Sequence, residues 1–272
     1  MNNLMGEKIS VIIPAYNEEE RIYSNIKKVE TVLDDLSNKK RLDYEIIIVN
    51  DGSIDATYKE ALKAREQNHR IIVIDYTDNG GKGNALRKGF DHTSGQYIFF
   101  LDADLDISPE HIPNFFNYLE ETNADVVVGS KRHPDSNINY PFSRKILSEL
   151  YQLINFGLFR LDLSDTQTGF KVFRYEVLQQ VFPNVLCKKY AFDLELLVNA
   201  NHGNWKIVEH PIEIDWKRNQ NRVSLKDIWQ ITLDTAAIFY RLKILKHYSG
   251  PYRIISPKIH KVYDVLYDGI SK

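Results

Sequence analysis

The feature that most constrains this chain is a series of short apolar runs, each closed by a polar cluster and followed by a helical pattern. Residues 9–13 (Ile-Ser-Val-Ile-Ile) stop at Pro14, residues 44–49 stop at Asn-Asp-Gly-Ser, and residues 97–101 (Tyr-Ile-Phe-Phe-Leu) stop at Asp-Ala-Asp. Residues 70–75 and 124–129 are two further runs, while 17–36, 55–67, 83–93 and 109–122 carry helical periodicity. The first helical pattern opens on Asn17-Glu18-Glu19-Glu20, acids where a helix dipole favours them. Apolar runs this short, alternating with helices, predict an α/β fold with a mainly parallel sheet covered on both faces. In such sheets a ligand lies beyond the carboxyl ends of the strands. The clusters at 14–18, at Asp51 and at 102–106 all fall there.

The second half changes character. Residues 142–161 and 225–245 are long aromatic-rich amphipathic patterns, with 166–216 between them. With no repeat or linker in view, the expected organisation is a catalytic domain at 1–224 and an amphipathic, basic C-terminal extension at 225–272. Composition closes several other routes. A single cysteine, Cys187, excludes a disulfide framework and a cysteine-built zinc site; a buried thiol without a role is expected, in a reducing, cytoplasmic setting. Lys plus Arg is 35 against 37 Asp plus Glu, a net charge of −2, so no positive field exists to collect nucleic-acid phosphates. No stretch reaches the ~20 apolar residues of a bilayer span, since 228–245 is broken by Asp234, Arg241 and Lys243, and the first ten residues lack a signal-peptide core.

Asp102-Ala103-Asp104, with Asp106 two further on, is the sharpest local signal. On an extended segment side chains two apart point the same way, so three carboxylates could converge on one cation. Hard oxygen ligands select Mg2+ or Mn2+. The plainer alternative is an acidic loop ahead of the helix near Pro109, with Ser108 as its cap. Asp51-Gly52-Ser53 is either a turn or a carboxylate offered to a nucleotide, and Gly80-Gly81-Lys82-Gly83 either a glycine turn or a loop placing Lys82 near a diphosphate. That loop lacks the spacing of a P-loop. Asp193 and Glu195 could be first-turn acids, and Lys171 a solvated strand end.

Taken in order, Val-Ile-Ile-Pro-Ala-Tyr-Asn-Glu, Val-Asn-Asp-Gly-Ser, Gly-Lys-Gly-Asn-Ala-Leu-Arg-Lys-Gly, Leu-Asp-Ala-Asp-Leu, Gly-Ser-Lys-Arg, Asp-Thr-Gln-Thr-Gly-Phe-Lys and Phe-Asp-Leu-Glu resemble the family 2 glycosyltransferases of GT-A fold. Within them the likeness is to polyprenyl-phosphate sugar synthases, the last two motifs looking most like dolichyl-phosphate β-glucosyltransferase. The resemblance implies a nucleotide-sugar pocket at Pro14, Tyr16, Glu18, Val49 and Asp51, with Lys82 and Arg222 on the donor phosphates. It implies Asp102, Ala103 and Asp104 at the diphosphate through a metal; Asp106 stands where mannosyl-phosphate synthases commonly carry a glutamine. Arg132, Arg144 and Ser148 match positions that engage the acceptor or donor phosphates, Asp193 being a further catalytic candidate.

The implied reaction moves a hexose, glucose from UDP-glucose, to a polyprenyl phosphate with inversion. A phosphate monoester is already largely anionic near neutral pH and needs cations, whereas a hydroxyl acceptor needs a base such as Asp193. Transfer to a saccharide or wall-polymer hydroxyl is one alternative; a nucleotide-sugar binding protein without turnover is another. Arg241, Lys243, Lys246, Arg253, Lys258 and Lys261 follow an aromatic amphipathic helix and suit peripheral attachment to an anionic bilayer. Packing of that helix on the domain, or a homo-oligomer contact, is its competing use.

Overall fold

The computed structural model describes residues 7–136, 152, 154–188, 191–214 and 225–248. Arg144, Ser148 and Arg222, and the basic residues after 248, lie outside the described residues.

Four parallel strands form one half of a seven-stranded sheet: β1 (Lys8–Ala15), β2 (Asp43–Asp51), β3 (Ile71–Tyr76) and β4 (Tyr97–Phe100). The order across the sheet is β3-β2-β1-β4-β6-β5-β7, with β5 at Val126–Ser130, β6 at Lys171–Arg174 and β7 at Ile207–Pro211. β6 runs antiparallel to both neighbours, β4 and β5, while β5 and β7 are parallel. The sequence expectation of a mainly parallel α/β sheet holds. The two strands inside 166–216 are the part it did not resolve, and one of them is inserted between strands adjacent in the chain.

Helices cover both faces. On one side lie α1 (Ile22–Lys40), α2 (Thr57–Gln67) and α4 (His111–Glu121); α1 buries Ile22, Ile26, Val29, Leu33 and Leu36, the three-and-four spacing of one helix face. On the other lie α3 (Lys82–Phe90), α5 (Tyr175–Val181), α6 (Phe192–His202) and α7 (Leu225–Lys243). The two faces carry separate apolar cores, one holding Val11 and Phe99, the other Ile12 and Phe100, as strand alternation requires.

The first helix begins later than the expected Asn17. Asn17 takes a left-handed φ of 55°, and the Glu18 N–H donates to Thr57 Oγ1 at 2.7 Å, so the three glutamates lie in a loop tied to the start of α2. The C-terminal helix also departs from expectation. Ile238 is completely buried in the second core, and Arg241, expected on a bilayer-facing patch, is only 4% exposed. Its guanidinium pairs with Glu195 at 2.8 Å, and the Tyr248 hydroxyl donates to the same carboxylate at 2.6 Å. A buried carboxylate draws the arginine inward, because either charge left alone there would be costly.

Candidate active site

The carboxyl ends of β1, β2 and β4 converge on one edge of the sheet. A cleft of about 160 Å3 opens there, lined by Asp102, Asp104 and Asp106 together with Lys131, Gln167, Gly169, Phe170 and Ile214.

The segment 102–106 is a turn and not the extended stretch that alternation would need. The Leu105 N–H donates to the Asp102 carbonyl at 3.2 Å, Leu105 has a φ of 53°, and the Asp106 N–H donates to Asp104 Oδ1. The three carboxylates therefore share a cleft without pointing in register. Among the described residues no three His, Cys, Asp or Glu side chains form a ready cation cage. Asp102 instead pairs with Lys82 at 2.5 Å. Burial would raise the Asp102 carboxyl, but Lys82, Lys171 and Lys131 overcome that and hold it low. Burial, with the charges of Asp102, Asp106 and Glu18, pushes Asp104 up to about 6. Crowded hard-oxygen donors whose own charge opposes ionisation are of the chemical type that fits a divalent cation.

Lys82 is the first residue of α3. Burial would lower its ammonium, but the carboxylates of Asp102, Asp193 and Asp104 push it up, so it is a permanent cation. Asp51 sets its position: Oδ1 accepts the Gly80 N–H and Oδ2 the Gly81 N–H, each at 2.8 Å, and Tyr76 donates its hydroxyl to Oδ1 at 2.5 Å. Gly81 has a φ of 83°, open to glycine at little cost. Asp51 is 4% exposed, so what it does in this structure is hold the lysine loop. Val49 likewise is core, with no exposed side-chain surface, whereas Tyr16 stands 47% exposed at the end of β1 and Pro14 and Glu18 are half-buried beside it. Ala103 is buried, its carbonyl taking a hydrogen bond from Asn25 at 2.8 Å.

Behind the cleft lies a second ion pair. Lys171, the first residue of β6, has no exposed surface; its Nζ lies 2.5 Å from Asp193 Oδ1 and also donates to the Thr168 carbonyl. Burial pulls the Lys171 ammonium down and Lys82 adds to that, against the charge of Asp193. Asp193 stands in the first turn of α6 and is 7% exposed. The loop before Lys171 is fixed through Glu209, which accepts the N–H groups of Ser164 and Asp165 at 2.9 and 3.0 Å, and through Asp165, which accepts those of Lys131 and Gln167. From the loop after β5, Lys131 reaches the cleft; Arg132 is half-buried beside it, its N–H donating to Ser130 Oγ. The sequence reading singled out Arg132, passed over Lys131, Gln167 and Gly169, and offered Lys171 as a solvated strand end, which its complete burial corrects. All four lay inside motifs already marked, and only contact could separate them from their neighbours.

Residues 10–182 match the model of Glycosyl transferase family 2. A dolichyl-phosphate beta-glucosyltransferase of Trichomonas vaginalis is 32% identical over 249 residues, 87% of this chain and 75% of that protein. One of Dictyostelium discoideum is 32% identical over 219 residues, 76% of this chain and 66% of that protein. The fold is that of glucosyl-3-phosphoglycerate synthase from Mycobacterium tuberculosis, solved with Mn2+ and UDP-glucose: TM-score 0.62 and 20% identity, over 91% of this chain and 81% of that one.

Proposed function

The chain belongs to glycosyl transferase family 2, and from that premise we propose that it moves glucose from UDP-glucose to the phosphate of a polyprenyl lipid, with inversion, at the cytoplasmic face of a membrane. The observation that carries the proposal is the pairing of signs in the cleft: Asp102 and Asp104 in its lining, Lys82 and Lys131 within reach of the same space. Opposed charges at the carboxyl edge of a parallel sheet suit a donor whose diphosphate needs cations and whose acceptor is itself an anion. The two dolichyl-phosphate beta-glucosyltransferase relatives support glucose and a lipid phosphate as the pair exchanged.

Asp102 and Asp104 would hold Mg2+ or Mn2+; bound there, the cation supplies positive charge against the leaving diphosphate. The chain's own residues do the rest. Lys82, fixed by Asp51, lies beside Asp102 to neutralise a diphosphate oxygen, and Tyr16, Pro14 and Glu18 flank the nucleotide. Lys131, with Arg132 and Arg144 of the acceptor motifs, draws the lipid phosphate in, a guanidinium binding phosphate oxygens as a fork. An acceptor phosphate oxygen then forms the new bond to the anomeric carbon as the bond to the nucleoside diphosphate breaks, its electron pair leaving with the diphosphate and no proton moving.

No described helix is long and apolar enough to cross a bilayer. One face of α7 instead exposes Trp229, Ala236, Tyr240 and Lys243, with Ile244 and Lys246 just beyond, an aromatic and cationic stripe opposite buried Ile238. That stripe suits the interface of an anionic membrane. The test is product analysis: purified protein with Mg2+ or Mn2+, a panel of nucleotide sugars, and either a polyprenyl phosphate or saccharides. Glucosyl lipid phosphate from UDP-glucose is expected. Transfer to saccharide alone would refute the acceptor.

A further inference from the structure

We infer that Gln167 determines sugar specificity: its side-chain amide meets hydroxyls of the donor hexose in the cleft, between the groups that take the diphosphate and the acceptor phosphate. The inference rests on the proposed transfer and deepens it, by naming a residue that reads the sugar itself.

Three observations carry it. The first is chemistry. Among the described side chains that line the cleft, Asp102, Asp104, Asp106 and Lys131 are charged, and Gln167 is the one neutral polar group beside apolar neighbours. Charges suit phosphates and their counter-ions. A hexose presents neutral hydroxyls, each both donor and acceptor, and a primary amide answers both roles with one group. The second is availability. Gln167 is exposed, whereas Thr166 and Thr168 on either side of it are completely buried. Its backbone N–H donates to Asp165 Oδ1 at 3.0 Å, but among the described residues its side-chain amide has no hydrogen-bond partner. The main chain beneath it is fixed from both directions: Glu209 accepts the Asp165 N–H at 3.0 Å, and Lys171 donates to the Thr168 carbonyl. A rigid backbone carrying an unpartnered amide is preorganised for a ligand.

The third is location. Asp165 also accepts the Lys131 N–H, through Oδ2 at 3.3 Å, so one carboxylate seats both Lys131 and Gln167. Two residues after Gln167, Gly169 packs directly on the Asp102 carboxylate. Gln167 therefore stands on the stretch that joins the cation assigned to the acceptor phosphate to the acid assigned to the donor's diphosphate. Inversion needs the attacking oxygen, the anomeric carbon and the departing oxygen in line, so the hexose lies between those two groups. The sugar is thereby brought to the part of the lining that Gln167 supplies.

The test compares the parent with Gln167→Met, which keeps the length of the side chain and removes the amide, in the full chain with Mn2+. The measurements are the melting temperature, the affinities for UDP and UDP-glucose by calorimetry, and kcat/KM in lipid transfer for UDP-glucose and for UDP-galactose, which differs in one hydroxyl. UDP carries no sugar and should bind within about twofold of the parent, while UDP-glucose weakens about fivefold, the scale of one hydrogen bond. The preference for glucose over galactose should fall about tenfold, because a site that hydrogen-bonds a hydroxyl discriminates by it. UDP weakening in step with UDP-glucose would overturn the inference, since the amide would then serve the diphosphate or the loop. An unchanged preference between the two sugars would overturn it as well. If the Met variant melts well below the parent, Gln167→Glu, of the same shape but with no N–H to donate, is judged by the same criteria. If the parent transfers no sugar to lipid phosphate, the proposed acceptor fails, and the two calorimetric affinities still decide Gln167. A parent that prefers another sugar refutes glucose, and the comparison is then made with the sugar it prefers; a parent that binds no nucleotide sugar refutes both.

Discussion

Replacing Gly169 by alanine tests the placement of Asp102 with a single methyl group. A Cβ at 169 would stand 1.8 Å from Asp102 Oδ2 and 2.4 Å from its Cγ. Ordinary contact begins near 3.4 Å, so the carboxylate must retreat by 3.4 − 1.8, about 1.6 Å. The backbone of Gly169 is not in the left-handed region, so alanine adds no conformational strain of its own and the effect reports the contact alone. A retreat of that size disrupts the 2.5 Å pair with Lys82 and moves the side chain assigned to the donor's diphosphate. A displacement of roughly 1 Å at a reacting centre costs on the order of 100-fold in rate, which corresponds to about 2.7 kcal/mol of transition-state stabilisation. The assay is kcat/KM for glucosyl transfer alongside a thermal melt. A fall near 100-fold with a cooperative melt is expected. Transfer within threefold of the parent, at an unchanged melting temperature, would show that the Asp102 carboxylate can move without consequence, and the reasoning about the cleft would fail.

Gly83→Ala probes the seat of Lys82 from the other side: its Cβ would meet the buried Phe192 ring at 2.4 Å, so overpacking of about 1–3 kcal/mol should outweigh the helix-propensity gain of up to about 1 kcal/mol, seen as a lower urea midpoint. Arg241→Met removes the ion-pair partner of a completely buried Glu195 and should cost about 3–5 kcal/mol; Glu195→Gln added to it should recover part of that loss, and strict additivity in the double-mutant cycle would refute the pairing. Burial holds the imidazoles of His111, His210 and His247 below their usual value. Each therefore takes its proton more readily in the unfolded chain, so the stability it contributes is present above about pH 6.5 and is lost as pH falls through the lower folded values. Unfolding free energies from urea titrations between pH 7.5 and 5 should decline, by up to about 1.4 kcal/mol per pH unit for each histidine; a flat profile would contradict the burial assigned to them.

How much of this was legible beforehand follows from what kind of signal each element gives. The runs of β1, β2 and β4 are unmistakable because strands buried on both faces read as near-continuous apolar runs, interrupted here only by Ser10 and Glu45, which bond to each other, and their ends located the cleft at once. β6 was hidden because it is four residues long and begins with lysine, a residue type that burial normally excludes. Nothing local to Lys171 announces that its counter-ion lies 22 positions later, at Asp193. Arg241 misled for the same reason, since its partner, Glu195, is 46 positions earlier and on another helix. The acidic triplet was found but misread in geometry, because Leu105 in the left-handed region turns the segment, and a leucine gives no warning of that. Asp51 was marked for a nucleotide, although its hydrogen bonds bind Gly80 and Gly81. Sequence thus locates charge well and partners poorly, since periodicity is local and ion pairs are not.

That asymmetry matters most in α6. Asp193 and Glu195 sit two apart in its first turn, about 200° around the axis, and so face opposite sides of a helix that is buried nearly throughout. Each meets a buried cation, Lys171 from the sheet and Arg241 from α7. Such pairs contribute little net stability, but they make errors expensive: rotating α6 by one residue would strand two cations and two carboxylates together. The register of the helix is thereby set from both sides. Glu195 also accepts the N–H groups of Leu186 and Cys187 at 2.8 and 2.6 Å, and the Lys188 carbonyl that follows accepts the N–H of Gly83 at 3.1 Å. A continuous path of buried polar contacts therefore runs from α7, through Glu195 and the strap at 185–188, to the helix end that carries Lys82. A chain ended at residue 224 would lose Arg241 and Tyr248 together, leave Glu195 without either, and loosen the strap beneath the donor-side lysine. The helix with the exposed aromatic stripe is on this account part of the scaffold that places Lys82, and an attachment that pulled it from the domain would disable the cleft it was meant to serve.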